Sequence, residues 1–347
     1  MNEALTDQKE QSQPVEQSMT LVSGEVGRKV AAMGGTMTFK ARLGAMFQAL
    51  RPRQWTKNLA VFVGILFAKR LLEVAPLIHT LLAFIAFCLV SSFIYLLNDL
   101  LDLENDRRHP RKRNRPLASG RLPISWAVVA MGCLLGGAAL LTLAIFAIPL
   151  GGQHLPYSSL GGGDLLFALV LATYVVLMVL YSVRLKHVVL LDVFIIASGF
   201  LLRILAGAVV ISVVISPWLY LVTILLSLFL ALNKRRHELV LLQGEASTHR
   251  QILKEYNLPL LDQMITITAA ATVMAYSLYT FQGPTGDHHL MVTIPLVLYG
   301  LFRYLYLVYM RMEGGSPEEV LLRDRHTLAT VVLCAAVIFV VLYVLPS

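Results

Sequence analysis

The chain has 347 residues, 57% hydrophobic and only 14% charged, with a mean hydropathy of +0.69 and a formal net charge of +8. A water-soluble domain carries roughly a quarter charged residues, so this composition excludes one. Nucleic acid is not the partner that the basic balance implies. The cations lie in loops between apolar blocks, where they read as membrane topology and as ligands for anions.

Residues 1–37 are polar and without periodicity, and are expected to form a disordered cytoplasmic tail, because they cannot bury enough apolar surface to offset ordering. No signal peptide is expected, since that stretch lacks an apolar core. Over 38–56, Phe39, Leu43, Met46, Phe47 and Leu50 recur at helical spacing with Lys40 and Arg42 off the stripe, predicting an amphipathic interfacial helix. Residues 57–347 form the transmembrane domain. Its apolar blocks are about 20 residues long, enough to cross a hydrocarbon core as helix. Continuous runs such as Ala83–Leu97 exclude the alternation of a barrel. The expected fold is all-α, a polytopic bundle of about nine transmembrane helices around a central cavity.

The windows are Leu59–Ala75, Leu77–Leu97, Ile124–Ile148, Leu165–Val183, Leu190–Ile211, Trp218–Leu232, Met264–Thr280, Leu290–Val308 and Leu328–Leu345. The first is the weakest, short and interrupted by Lys69, Arg70 and Glu73. The loop after the second window carries Arg107, Arg108, Arg111, Lys112, Arg113, Arg115 and Arg121. The loop after the sixth carries Lys234, Arg235, Arg236, Arg250 and Lys254, whereas 151–163 and 282–289 hold no Lys or Arg. The positive-inside rule then puts the N-terminus and the charged loops in the cytoplasm, within an inner (cell) membrane. Lys69 and Arg70 fall on the wrong side of that scheme. Cys88, Cys133 and Cys334 lie in apolar runs without ligand spacing and read as buried thiols.

The strongest chemical signal is Asn98-Asp99-x-x-Asp102-x-x-x-Asp106, directly after an apolar span. Positions 98, 102 and 106 are expected on one helix face, with Asp99 bordering it. Carboxylates so repeated repel one another unless a cation joins them, and Mg2+ favours a few carboxylates plus phosphate oxygens. A solvated acidic helix end, paired with neighbouring arginines, is the competing account. The basic run from His109 to Pro116 follows at once; it is either a topology signal or charge for a diphosphate leaving group.

A second group comprises Tyr181, Arg184, Lys186 and Asp192. Asp192 and Arg203 are about three turns apart and share a face. Arg203 is surrounded by apolar residues, where a cation costs at least ~2.5 kcal/mol unless partnered. A structural ion pair and an anion-binding cavity are the two readings. The third group runs from Asn233 through Lys234, Arg235 and Arg236 to Glu238, followed by His249, Arg250 and Tyr256. Cations at a helix C-terminus also suit its dipole. His237 and His249 read as loop or packing residues rather than bases.

The stretch Asn98–Asp106 resembles the first aspartate-rich motif of the UbiA superfamily of intramembrane prenyltransferases, and Tyr181, Lys186 and Asp192 fall where its second motif lies. There the usual second aspartate is replaced by Ile196. The chain is most similar to one branch, the decaprenyl-phosphate phosphoribosyltransferases, in the stretches 51–58, 95–113, 115–120, 199–203, 234–239 and 317–324.

The resemblance implies Mg2+-dependent transfer of 5-phosphoribosyl from phosphoribosyl pyrophosphate to a polyprenyl phosphate, with release of diphosphate. By the same resemblance Asp99, Asp102 and Asp106 hold the metal, and Lys186 acts with them on the leaving group. Lys57 and Lys112 assist, while Asn98, Arg115, Tyr181, Asp192, Arg203, Lys234, Arg235, Arg236 and Arg250 are the further substrate-binding candidates. A UbiA-type enzyme moving a prenyl chain from a prenyl diphosphate to an aromatic acceptor is the alternative within the superfamily. An anionic-lipid transporter is the alternative outside it; it would show a pseudo-repeat, and none is apparent. A homo-oligomer is left open.

Overall fold

The computed structural model describes residues 38–110, 112–150, 162–242, 255–282, 288–315, 317, 320 and 323–344. The expected tail over 1–37 and Arg250 lie outside them. The chain divides into two compact units, 1–46 and 47–347. Helix α1, Phe39–Ala49, begins in the first. No β-strand occurs among the described residues, and eight helices are long and apolar enough to cross a membrane.

The second unit opens with a 3-10 helix, Pro52–Val61, running into the short α2, Phe62–Phe67. There follow α3 (Val74–Leu101), α4 (Leu103–Arg108), α5 (Ile124–Ala147), α6 (Gly162–Val183) and α7 (Leu191–Val209). Next come α8 (Pro217–Leu242), α9 (Leu258–Phe281), α10 (Ile294–Met310) and α11 (Arg325–Tyr343). A 3-10 turn, His288–Thr293, lengthens α10 into a crossing from His288 to Met310. In spatial order α5, α3, α6, α7, α8, α9, α10 and α11 pack each on the next, and the 52–67 segment rests on α3 and α7.

The first expected window is not among the eight helices long and apolar enough to cross a membrane, and it begins in 3-10 helix, a more extended form than α. A 3-10 helix rises about 2.0 Å per residue against about 1.5 Å for α, so 52–67 extends about 29 Å. Its start is pinned by Arg51, whose Nη2 donates to Asp99 at 2.5 Å, and its far end by Arg70, whose Nη1 donates to Ile211 O at 3.0 Å. Arg70 also donates to Glu73 through Nε and Nη2. The ion pair partly neutralises the charge that had seemed misplaced. At the same end Tyr343 of α11 accepts from Leu71 N–H and donates to Leu66 O, closing α11 onto α2.

Asn58 and Val61, three apart on the 3-10 helix, and Gly64 of α2 are buried where the segment packs on α7. Approach is close enough that a Cβ on Gly207 would lie 1.8 Å from Val61 O, and one on Gly64 would lie 2.9 Å from Ala208 N. Small residues buy this contact between backbones, which is how helices associate where lipid supplies no hydrophobic drive. Gly207→Ala is therefore expected to lower stability by about 1–3 kcal/mol. The readout is the thermal unfolding midpoint in detergent; an unchanged midpoint would mean that the two backbones separate at no cost.

The cysteine expectation needs correction. All three are free, but only Cys88 is buried; Cys133 is exposed and Cys334 half-buried. Cys133 sits on α5, the outermost element of the packing order, most of whose surface faces away from the bundle.

Candidate active site

The C-terminal ends of α3, α6 and α8 and the N-terminal ends of α7 and α9 meet at one end of the second unit, and the charged side chains collect there. The aspartate motif does not continue as one helix. Asp102 caps α3 with φ −95° and ψ 10°, and α4 restarts after it. Asp competes with its own backbone and is a poor helix former, which favours a break here. The expected single face of 98, 102 and 106 is thereby split. Asp99 and Asp106 share one side, each 2% exposed, while Asp102 turns toward the α6–α7 connection and Asn98 stays half-buried in the last turn.

Arg115 binds the buried pair. Its Nη1 donates to Asp106 Oδ2 at 2.6 Å and to Asp99 Oδ1 at 3.1 Å. Asp99 Oδ1 also accepts from Arg51 Nη2 at 2.5 Å, and that guanidinium lies 4.8 Å over the Tyr95 ring. Arg51 has a left-handed backbone, φ 53° and ψ 59°, just before Pro52. Both the positive φ and the following proline disfavour this conformation, so the surroundings hold Arg51 there against local strain. A cavity of about 270 Å³ opens on this group, lined by Gln48, Ala49, Arg51, Asp99, Asn114, Arg115 and Pro116.

Asp102 Oδ1 accepts from Lys186 Nζ at 2.7 Å, which joins the two motifs across 84 positions of sequence. Lys186 comes from a short 3-10 turn, Leu185–His187, and is buried. Asp192 is fully buried and fully engaged: Oδ2 accepts from Arg235 Nε at 2.7 Å and Oδ1 from the Tyr256 hydroxyl at 3.0 Å. Arg235 also reaches Glu238 and, at 3.5 Å, the Tyr181 hydroxyl. Burial pushes the Tyr256 hydroxyl up to about 12, so it stays protonated and can donate.

Arg203 does not pair with Asp192. Its Nε donates to Asn58 Oδ1 at 2.8 Å, Nη1 to Gly199 O at 2.8 Å and Nη2 to the Tyr174 hydroxyl at 2.6 Å. None of these partners is anionic, which corrects the ion-pair reading. Arg236 is separated from Arg235, since consecutive helical residues point about 100° apart. Its Nε donates to Asp262 at 2.6 Å and its guanidinium stacks 4.0 Å over Tyr309, on the α9–α10 side. Lys112 is exposed, and Lys57 and Lys234 are half-buried. His237 accepts from Gly314 N–H, a packing role. Arg51 was not singled out as a site residue and Tyr256 stood in the third group without a role, because their contacts lie 48 and 64 positions away in sequence.

Among the described residues no three His, Cys, Asp or Glu side chains converge as a metal cage. The aspartates are paired with cations, as the competing account expects. Each commits only one oxygen to the bonds above. Mg2+ rarely uses an all-protein cage; it takes one or two carboxylates together with substrate phosphates and water. Asp102, with its side chain 37% exposed, and the Asp99–Asp106 pair beside the cavity fit an ion of that kind.

The profile of the UbiA prenyltransferase family matches residues 58–321. The chain is 32% identical to the decaprenyl-phosphate phosphoribosyltransferase of Corynebacterium glutamicum over 87% of each chain. It is 33% identical to that of Mycolicibacterium smegmatis over 82% of this chain and 88% of the relative. In fold it is similar to a UbiA homologue from Archaeoglobus fulgidus bound to GPP and Mg2+, with a TM-score of 0.63 at 18% identity, covering 86% of this chain and all of that one.

Proposed function

The chain belongs to the UbiA prenyltransferase family, and from that premise we propose that it transfers 5-phosphoribosyl from phosphoribosyl pyrophosphate to a polyprenyl phosphate, releasing diphosphate. The carrying observation is the fate of the second motif. Position 196 is Ile, and Asp192 spends both oxygens on Arg235 and Tyr256. With Asp192 closed on these partners, that half of the site does not present the pair of carboxylates that a second metal would need. A site for a prenyl diphosphate and a neutral aromatic acceptor has no use for so much positive charge. A diphosphate, a sugar phosphate and a lipid phosphate together do.

In the proposed step an oxygen of the lipid phosphate attacks ribose C1 from the face opposite the diphosphate. The C1–O bond to diphosphate breaks, and its electron pair leaves with that group. A phosphate monoester already carries an ionised nucleophile, so no general base is required. Mg2+, when bound by Asp99, Asp102 and Asp106 with the substrate phosphates, supplies charge stabilisation for the departing diphosphate. Lys186, Arg115 and Arg51 add fixed positive charge around the same oxygens. Lys57 and Lys112 are assigned to the diphosphate as well, and Lys234 and Arg250 to the remaining phosphates, while Arg235, buried on Asp192 and Glu238, braces the site. The charged end is assigned to the cytoplasmic face of the cell membrane by the positive-inside rule.

The test supplies purified protein in nanodiscs with Mg2+, ribose-labelled phosphoribosyl pyrophosphate and polyprenyl phosphates of several lengths. Label should enter the lipid phase and fail to do so with a chelator. Incorporation only from a labelled prenyl diphosphate into an aromatic acceptor would overturn the reading in favour of a prenyltransferase. Translocation of unmodified lipid phosphate would overturn it in favour of transport.

A further inference from the structure

Lys186 reaches Asp102 from a short turn whose own backbone bonds are local. The segment 184–190 joins α6 to α7 through one short 3-10 turn, and it ends on Leu190 with φ 65° and ψ −41°. A leucine in that region is strained, and it stays there only if neighbouring contacts over-determine it. One such contact comes from Tyr256. Its hydroxyl accepts the Leu190 N–H at 2.8 Å and donates to Asp192 Oδ1 at 3.0 Å. The ring is 4% exposed and stands immediately before Asn257, which caps α9 by accepting from Leu260 N–H. One side chain thus ties the start of α9 to the strained end of the turn and to the first residues of α7.

We infer that Tyr256 is a positioning residue: by holding Leu190 and Asp192 it fixes the turn that keeps Lys186 on Asp102. It touches neither Lys186 nor Asp102 itself. The route runs from its hydroxyl through the backbone of 186–190 to the Lys186 ammonium. Arg235 braces the same carboxylate from the other side, at 2.7 Å. The Tyr256 hydroxyl is the group that couples that carboxylate to the turn's backbone.

The kinetic arm of the test rests on the transfer reaction proposed above; the exchange arm does not. Tyr256→Phe in nanodiscs should lower kcat/KM for phosphoribosyl transfer about tenfold, the effect of losing one good hydrogen bond to a charged partner. Residues in series are non-additive. In a Lys186→Ala background the same change should therefore cost less than about twofold. Deuterium uptake over 184–192 should rise in Tyr256→Phe while uptake over 325–343 stays unchanged. Full additivity of the two substitutions, or unchanged uptake over 184–192, overturns the inference. If wild-type protein transfers no label from phosphoribosyl pyrophosphate, the proposed reaction fails and the uptake comparison alone decides the role of Tyr256. Should Tyr256→Phe not fold, Asp192→Asn weakens the same hydroxyl contact, and the same uptake readout applies.

Discussion

Asp102→Asn should lower turnover at least about a hundredfold while leaving the protein folded, the size of loss seen when one preorganised charge-stabilising group is removed from a transition state. Asp102 is the most accessible of the three aspartates, and it caps α3 where the helix is already broken. Among the described residues its carboxylate pairs with Lys186 and is 37% exposed, so the amide loses charge without stranding a buried network. The change removes a ligand suited to Mg2+ and leaves Lys186 facing a neutral group. Turnover should fall more steeply than donor affinity, because charge on diphosphate grows as the C1–O bond breaks.

The measurement is single-turnover label transfer beside a thermal melt in the same detergent. A variant with native melting and full activity would remove Asp102 from the mechanism. Asp99→Asn is a poorer probe. Asp99 is 2% exposed and accepts from both Arg51 and Arg115, so its neutralisation also leaves two guanidinium groups short of a counter-charge.

The membrane class and most helices were legible in the sequence because lipid demands long apolar runs. The weak first window was legible only as weak. Its close packing on α7 relies on Gly64 and Gly207 letting two backbones touch, and those glycines meet across 143 positions of chain; each alone signals nothing. The aspartate motif was found, but its register was not. A four-residue repeat looks like one face until Asp102 leaves the helix. Arg235 and Arg236 are indistinguishable as neighbours in a basic run, yet one closes on Asp192 and the other on Asp262. Helical rotation separates them, and which of two adjacent cations faces inward depends on packing partners that the local sequence does not contain.

Arg203 supplies the second large effect, and it inverts the usual ranking of substitutions. Arg203→Lys should destabilise by about 3–5 kcal/mol, the penalty for leaving a buried charge uncompensated, and should be worse than Arg203→Met. The planar guanidinium spreads its charge over three acceptors on the 3-10 helix, α6 and α7, and lies 4.8 Å over the Tyr174 ring and 5.3 Å over the Phe200 ring. A lysine ammonium is a compact, strongly hydrated charge that cannot reproduce that fork. It keeps the charge in the apolar middle of the bundle and loses most of what offsets it. Methionine loses the same bonds but discards the charge; Asn58 Oδ1 still accepts from Ser91, leaving Tyr174 as the main group without its partner. Unfolding midpoints of the three proteins in one detergent should therefore rank wild type above Met above Lys. If Lys ranked above Met, positive charge itself would be what the position requires. Arg203 would then be acting on an anionic ligand drawn into the bundle, rather than pinning the 52–67 segment to its neighbours.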